Sequence, residues 1–184
     1  MPRVKFPHLE YAIREAKTIE LPQLGRKKYL FKTFSFGERG ARLSAELLRE
    51  ITQGLLSSIK KNFPKFDYIA SPEPGGHTWG SIVAYSLGKA INTVRSNPSY
   101  SRGEIEIRRE TAYYHHNLYF SHFKKGDKVL IVDDIVSSGG TLETLLSTLK
   151  KLGVVVIGVQ VIYAKTDVWK KLEKKYSLPI KYLV

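Results

Sequence analysis

The stretch VLIVDDIVSSGGTLETLLSTLKKLG, from Val129 to Gly153, constrains the fold of this chain more than any other part of it. Its first residues, Val129 to Val132, are apolar and mostly β-branched, which predicts a strand buried on both faces of a parallel sheet. Leucines then recur at spacings of three and four from Leu142 to Leu152, which predicts an amphipathic helix that ends at Gly153. Between strand and helix lie two adjacent acids and a turn of small residues. The stretch therefore predicts a strand–turn–helix unit of an α/β protein.

The rest of the chain continues this alternation. Predicted elements are a helix from Arg39 to Lys61, a strand Tyr68–Ala70, a loop Pro72–Gly76, a helix Ser81–Gly88, a strand Ala90–Arg95, a strand Val154–Ala164, a helix Lys165–Tyr176 and a strand Ile180–Val184. Residues up to Gly37 show little periodicity. The polar span from Ser96 to His116 is typical of a functional loop or a β-excursion. Alternating elements favour a parallel sheet covered on both faces, with ligands bound beyond the carboxyl ends of its strands.

The composition limits the kinds of site and partner that this chain can have. A chain of 184 residues can form one well-cored domain, and the lack of cysteine excludes disulfides and thiolate metal sites. The 30 Lys and Arg against 17 Asp and Glu fit an anionic partner, either nucleic acid or a highly phosphorylated small molecule, or else a lysine-rich solvated surface. No apolar run approaches the length of a membrane span and no signal peptide is evident, so we expect a cytoplasmic protein without a membrane partner.

The two acids make chemical sense if the ligand is a sugar phosphate. Backbone N–H groups from Ser138 to Thr141 would bind a terminal phosphate at the start of the helix. Asp133 and Asp134 would accept hydrogen bonds from ribose hydroxyls, as an acid does in dinucleotide sites. The turn lacks the Gly-Lys-Ser/Thr of a Walker P-loop, so a nucleotide site of that kind is excluded.

An apolar strand, two acids and a small-residue turn ending in Gly-Gly-Thr resemble the signature of the purine and pyrimidine phosphoribosyltransferases. The resemblance extends from Tyr68 to Ala164, where YIASPEPGGHTWG is similar to the diphosphate segment of the family. RSNPSYSRGEIEI and TAYYHHNLYFSHFKKGDKV also resemble archaeal purine enzymes. The resemblance implies a type I phosphoribosyltransferase fold, α/β, with a parallel sheet flanked by helices, a small hood lobe and a flexible loop. It further implies Mg²⁺ as cofactor, phosphoribosyl diphosphate and a purine as substrates, and a homodimer.

The resemblance also implies how the chain is divided. The hood would come from about residues 1–37 and 165–184, and the core from about residues 38–164. The flexible loop would span about residues 97–117 and would close over the substrates, excluding water. Within it, the segment Thr111–Asn117 is expected to be mobile without ligand.

Roles for individual residues follow from the same resemblance. Asp133 and Asp134 would bind the ribose hydroxyls and could contribute to a Mg²⁺ held mainly by the substrate, while Glu110 and Tyr113 of the flexible loop would be further catalytic residues. The 5′-phosphate would be bound by Ser137, Ser138, Gly139, Gly140 and Thr141. The diphosphate would be bound by Glu73, Pro74, Gly75, Gly76, His77 and Arg95, of which His77 could equally serve only the helix start. Val136 and Lys165 would contact the base, although Val136 could equally just fill the end of the sheet.

The identity of the base depends on two opposing residues. Ser137 stands where 6-oxopurine enzymes usually carry an acid for the N7 proton, which favours adenine and hence AMP and diphosphate as products of purine salvage. Lys165 stands where those enzymes place a lysine near O6, which keeps hypoxanthine and guanine open. A regulator that senses phosphoribosyl diphosphate and binds nucleic acid is a further alternative. No helix-turn-helix is evident near the N-terminus, so a nucleic acid partner is not expected.

Overall fold

The computed structural model describes residues 6–21, 29–38, 40, 42–63, 65–110 and 115–184. In chain order its elements are α1 (Pro7–Arg14), β1 (Lys17–Leu21), β2 (Tyr29–Thr33), α2 (Ala45–Asn62), β3 (Tyr68–Pro72), α3 (Gly75–Leu87), β4 (Ala90–Val94), β5 (Ile105–Glu110), β6 (His115–Phe120), β7 (Lys128–Val136), α4 (Gly140–Lys151), β8 (Val155–Ala164), α5 (Val168–Tyr176) and β9 (Ile180–Tyr182).

A parallel five-stranded sheet in the order β4-β3-β7-β8-β9 forms the centre of the molecule. Alternate residues of the central strand β7 face opposite sides, as the pleat requires. Leu130 and Val132 pack into the core cluster that contains α2 and α3, whereas Val129 and Ile131 pack into the cluster that contains α4. The prediction of a parallel sheet covered on both faces, with Val129–Val132 buried on both, is therefore confirmed.

Helix α2 largely coincides with the predicted span but begins later, at Ala45, and ends at Asn62. The Ser44 side chain caps it by accepting a hydrogen bond from the Leu47 N–H over 3.2 Å. The predicted β-excursion is also found, since β5 and β6 pair as an antiparallel hairpin. Backbone hydrogen bonds between Arg95 and Tyr119 attach this hairpin to the end of β4. Residues 111–114, Tyr113 among them, follow β5 in the chain and lie outside the described residues.

Two of the predicted boundaries that differ from the structure lie at the candidate site. The loop predicted for Pro72–Gly76 ends earlier, because α3 begins at Gly75 instead of at Ser81. Two consecutive glycines are poor helix formers, so local propensity hides a helix start that tertiary packing stabilises. The strand predicted to end at Val132 continues to Val136, because β8 pairs with β7 as far as Val136 opposite Ala164. Both acids therefore lie inside the strand.

The N-terminal part of the chain contains elements that weak periodicity concealed, whereas the helix and the strand predicted at the other end are found as α5 and β9. Helix α1 buries Leu9 completely, and Glu50 of α2 accepts a hydrogen bond of 2.8 Å from the Leu9 N–H at the start of α1. β1 and β2 form a separate antiparallel hairpin. At the other end, β9 pairs with β8 and α5 packs on the sheet through Leu172. β9 thus extends the main sheet, and the division into hood and core stays a prediction. Within the described part of the chain, no helix is long and apolar enough to cross a membrane.

Candidate functional site

The candidate site lies where β3 and β7 end and where α3 and α4 begin. Because β3 and β7 run parallel as neighbours, their carboxyl ends meet at one edge of the sheet. The acid pair belongs to the last residues of β7. The turn after β7 leads into α4, and the turn after β3 leads into α3. The structure therefore brings the two predicted glycine turns and the acids to the same edge.

Asp133 and Asp134 are both buried, with 6% and 8% of their surfaces exposed. Each carboxylate accepts a hydrogen bond from the following backbone N–H: Asp134 N to Asp133 Oδ1 over 2.9 Å, and Ile135 N to Asp134 Oδ1 over 2.7 Å. No described lysine or arginine forms an ion pair with either acid. A buried acid pair without a cation is costly for stability and is typical of a functional site.

The electrostatics of the pair follow from this burial. Desolvation raises the pKa of Asp133 well above its usual value, and the neighbouring Asp134 carboxylate raises it further. Burial likewise raises the pKa of Asp134 to about 6. A ligand that donates hydrogen bonds or brings a cation would stabilise the charged forms and so bind favourably here.

Close packing of glycines brings the start of α3 onto the acids. A Cβ added to Gly75 would lie 2.0 Å from Asp134 Oδ2, and a Cβ added to Gly76 would lie 2.7 Å from Asp133 Oδ1. Only glycine permits this approach. The first N–H groups of an α-helix have no acceptor within the helix and carry partial positive charge, so the arrangement presents donors and carboxylates side by side.

A second helix start stands on the other side of the acids. Gly139 precedes α4 and adopts φ 78°, a left-handed conformation that favours glycine. The turn is braced by the segment that follows β8: the Thr166 hydroxyl donates to the Ser137 carbonyl over 2.6 Å, and the Lys165 N–H donates to the Val136 carbonyl over 2.9 Å. Ser137, Ser138, Gly139, Gly140 and Thr141 thus form the turn and first helical turn expected of an anion site.

The predicted diphosphate residues gather at the ends of β3 and β4. Glu73 and Pro74 form the turn before α3, and the Glu73 carboxylate lies 3.9 Å from the Nε of Arg95. His77, exposed on the first turns of α3, has its Nδ1 2.9 Å from the Thr93 hydroxyl of β4. The structure therefore places all of these residues around the start of α3.

The remaining predicted residues are placed differently. The Val136 side chain is 2% exposed and packs in the core cluster with α4, so it fills the end of the sheet, the alternative that the sequence left open. Lys165 is exposed immediately after β8. Glu110 ends β5, but its side chain and the whole of Tyr113 lie outside the described parts of the structure.

Sequence reasoning missed one segment of the site. The turn Phe36–Glu38 lies over the acids: a Cβ on Gly37 would lie 3.4 Å from Asp134 Oδ2, and the Glu38 backbone donates a hydrogen bond to the Asp134 carboxylate. Trp79 of α3 fastens this turn, because its Nε1–H donates to the Phe36 carbonyl over 2.8 Å. In the sequence, this turn is marked only by Gly37, which directly follows the closely spaced aromatic residues Phe34 and Phe36.

The donor set suits a magnesium ion that the substrate largely holds. Among the described residues, no group of three or more His, Asp or Glu side chains is arranged to bind a metal by itself. Mg²⁺ is usually bound through one or two carboxylates together with substrate phosphates and water. Asp133 and Asp134 supply such a pair beside the starts of α3 and α4.

Comparisons with known proteins find related sequences and a similar fold. A sequence model of the phosphoribosyl transferase domain matches residues 42–180. The hypoxanthine/guanine phosphoribosyltransferase of Methanosphaerula palustris is 30% identical over 154 residues, which cover 84% of this chain and 82% of that protein. The enzyme of the same name from Methanothermus fervidus is 32% identical over 132 residues, covering 71% and 70%. The solved adenine phosphoribosyltransferase of Thermoanaerobacter pseudethanolicus shares the fold, with a TM-score of 0.72, 24% identity and coverage of 97% and 98%.

Proposed function

Because this chain belongs to the phosphoribosyltransferase family and has its type I fold, we propose that it transfers the phosphoribosyl group of phosphoribosyl diphosphate to a purine base. The observation that carries the proposal is the buried acid pair of β7 between the starts of two helices. Carboxylates suit the sugar hydroxyls, and helix starts suit the phosphates at either end of the substrate. The products are a nucleoside 5′-monophosphate and diphosphate.

Each part of the substrate has a set of partners in this proposal. The turn Ser137–Thr141 binds the 5′-phosphate through N–H groups at the start of α4. Asp133 and Asp134 accept hydrogen bonds from the ribose 2′- and 3′-hydroxyls. The start of α3, together with Arg95 and the exposed His77, binds the diphosphate. These contacts hold the sugar at both ends, so that C1′ stands in front of the bound base.

The chemistry requires positioning and charge stabilisation from the protein. The bond between C1′ and the diphosphate oxygen breaks with its electron pair on the oxygen, and a purine nitrogen then forms the bond to C1′. The purine loses its N–H proton, which the departing diphosphate accepts. The ribose ring carries positive charge in the transition state, and the nearby carboxylates of Asp133 and Asp134 stabilise that charge. Arg95 and the N–H groups of α3 stabilise the departing diphosphate. When bound, Mg²⁺ would neutralise diphosphate charge, with Asp133 and Asp134 as its protein ligands.

The hairpin β5–β6 acts as a lid in this proposal. It is tied to the sheet at its base, by Arg95 and Tyr119. Residues 97–117, which the resemblance assigns to the flexible loop, include all of β5 and the start of β6. Closure would exclude water, which otherwise hydrolyses an activated sugar. Glu110 and Tyr113 are the loop residues proposed to face the substrates.

The purine base has two candidates, adenine on the one hand and hypoxanthine or guanine on the other. Adenine is favoured by Ser137, since a hydroxyl does not accept the N7 proton of a 6-oxopurine as a carboxylate does. Hypoxanthine and guanine are favoured by the names of the sequence relatives and by Lys165, which a backbone hydrogen bond fixes against the end of β7. We give adenine first place, because Ser137 lies in the turn itself. The homodimer stays part of the proposal and would be tested by light scattering of the purified protein.

An activity panel tests the proposed function. The purified chain is mixed with phosphoribosyl diphosphate, MgCl₂ and one of adenine, hypoxanthine, guanine, xanthine or orotate, and nucleotides are separated by chromatography. We expect a nucleoside monophosphate with at least one purine and none with orotate. EDTA and the double variant Asp133→Asn/Asp134→Asn serve as controls. Failure to form a nucleotide from any purine would overturn the proposal.

A further inference from the structure

The side chain of Glu73 is turned away from the start of α3 and towards the chain that leaves β4. Its Oε2 accepts hydrogen bonds from the Ser96 N–H over 2.9 Å and from the Ser96 hydroxyl over 3.1 Å. Its Oε1 lies 3.9 Å from Arg95 Nε. A carboxylate repels a diphosphate, so a direct contact with that ligand would be unfavourable. The observed contacts indicate that Glu73 acts on its neighbours instead.

Arg95 connects these contacts with the hairpin β5–β6. The Arg95 N–H donates to the Tyr119 carbonyl over 3.1 Å, and the Tyr119 N–H donates to the Arg95 carbonyl over 2.9 Å. The Arg95 side chain is 46% exposed, so its guanidinium can reach a ligand. One residue therefore holds the base of the hairpin through its backbone and faces the candidate diphosphate site through its side chain.

A second carboxylate, that of Glu104, holds the segment of chain between Arg95 and β5. Glu104, directly before β5, accepts hydrogen bonds from the Ser99 hydroxyl, from the Ser99 N–H over 3.0 Å and from the Tyr100 N–H over 3.2 Å. The Ser99 hydroxyl holds the pKa of Glu104 below its usual value, and the charge of Arg95 contributes in the same direction. Glu73 thus holds the chain at Ser96, and Glu104 holds it at Ser99 and Tyr100.

We infer that Glu73 is a positioning residue, which aligns Arg95 for the diphosphate and ties the turn before α3 to the base of the hairpin. The inference rests on the proposed function, because the diphosphate that Arg95 would bind is part of the proposed substrate, phosphoribosyl diphosphate. In the ligand-free protein the Glu73 carboxylate holds Ser96 and orients the Arg95 guanidinium. When diphosphate binds, the guanidinium turns to the stronger anion while the Ser96 bonds keep the backbone of residues 95–96 in place. Binding of the diphosphate is thereby coupled to the hairpin.

Amide hydrogen exchange on the ligand-free protein tests the structural part without any substrate. We expect Glu73→Ala to speed exchange in residues 95–104 at least about fivefold, because it removes the acceptor of the Ser96 N–H. Glu73→Gln keeps an oxygen that can accept this bond, so exchange should stay within about twofold of the wild type. Glu10→Ala removes an equal charge from the exposed face of α1 and should leave these residues unchanged. Unchanged exchange in Glu73→Ala would overturn the inference.

A double-mutant cycle with Arg95 tests the functional part. We expect Glu73→Ala to raise KM for phosphoribosyl diphosphate about tenfold, because the Arg95 guanidinium is then no longer held in position and its charge-assisted contact with the diphosphate weakens. KM for the purine should change less than about twofold. In the Arg95→Ala background, Glu73→Ala should add less than about twofold, because its effect passes through Arg95. Fully additive effects, or an equal rise in both KM values, would overturn the inference.

Together, the exchange measurement and the double-mutant cycle distinguish a failure of this inference from a failure of the proposed function. If the wild-type protein forms no nucleotide from any purine, the proposed function fails. The exchange measurement then still decides whether Glu73 ties the turn before α3 to the base of the hairpin. If nucleotide forms but the cycle is additive, the proposed function stands and the positioning role of Glu73 fails.

Discussion

Gly75 and Asp134 approach each other so closely that no side chain fits between them: a Cβ on Gly75 would lie 2.0 Å from Asp134 Oδ2. The contact joins the first residue of α3 to a buried acid of β7, two elements that are far apart in the chain. It brings the helix start, with its unsatisfied N–H groups, against the carboxylates. Glycine at position 75 is therefore a requirement of the candidate site itself.

Replacement of Gly75 by alanine should disturb the site more than the fold. We expect Gly75→Ala to lower kcat/KM for phosphoribosyl diphosphate about a hundredfold or more, because it displaces the acid or the helix by an ångström. The free energy of unfolding should fall by about 1–3 kcal/mol, as for overpacked residues. Steady-state kinetics and urea unfolding measure the two effects.

Gly126→Ala provides the matched control for this variant. Gly126 has φ 92°, and a Cβ there would meet no atom within 4 Å. Backbone strain should destabilise this variant by about 1–2 kcal/mol while kcat/KM stays unchanged. Equal kinetics in the Gly75 and Gly126 variants would contradict the role given to the close approach of α3.

Neutralising the acids should weaken turnover without unfolding the protein. We expect Asp133→Asn and Asp134→Asn each to lower kcat/KM about ten- to a hundredfold, because hydrogen bonds from ribose hydroxyls to a charged acceptor are lost. Both side chains keep their size, so circular dichroism should remain that of the wild type. Near wild-type activity in both variants would show that the sugar is bound elsewhere.

The same acids should make stability depend on pH. Burial raises the pKa of Asp134 to about 6, from a usual value of 3.8. Between these values a folded state with this Asp134 binds more protons than the unfolded state. The contribution of Asp134 to the free energy of unfolding therefore decreases as pH rises and levels off above about pH 6. Urea unfolding without Mg²⁺ or substrate should show this decrease in the wild type. A decrease of the same size in Asp134→Asn would contradict the assignment to Asp134.

The hairpin should become protected when substrate binds. We expect amide exchange in residues 105–110 and 115–117 to slow with Mg²⁺ and phosphoribosyl diphosphate, because closure buries exposed backbone hydrogen bonds. β6 is anchored beyond this range by the buried Leu118 and Phe120, so residues 118–120 should change little. Equal exchange of residues 105–117 with and without ligand would argue against a lid.

The preference for adenine over hypoxanthine should depend on the residue at position 137, which is Ser137. We expect kcat/KM to be roughly ten- to a hundredfold higher for adenine than for hypoxanthine, the discrimination that one mispaired buried polar group provides. Ser137→Asp supplies a proton acceptor and should raise the activity with hypoxanthine relative to adenine. Ser137→Ala, the matched control, should not. A clear preference of the wild type for hypoxanthine would show that Lys165 outweighs Ser137.

The unit formed by β7, the small-residue turn and α4 could be predicted from the sequence because its signals are local. An apolar run, a glycine turn and leucines at helical spacing each describe neighbours in the chain. The parallel sheet follows from the alternation of such units, and the pair Asp133 and Asp134 follows from its position at the end of the run. The family signature lies in this same unit, which is why its resemblance was visible without any structure.

Only the tertiary structure decided how distant segments meet around the acids. The turn Phe36–Glu38 lies on Asp134, and α3 begins at Gly75, because packing across the sheet overrides the low helix propensity of glycine. The raised pKa of the acids likewise results from burial beneath these segments. Val136 packs into the core cluster with α4 because strand pleating and pairing with β8 decide its side. Such contacts join residues far apart in the chain, and local periodicity carries no information about them.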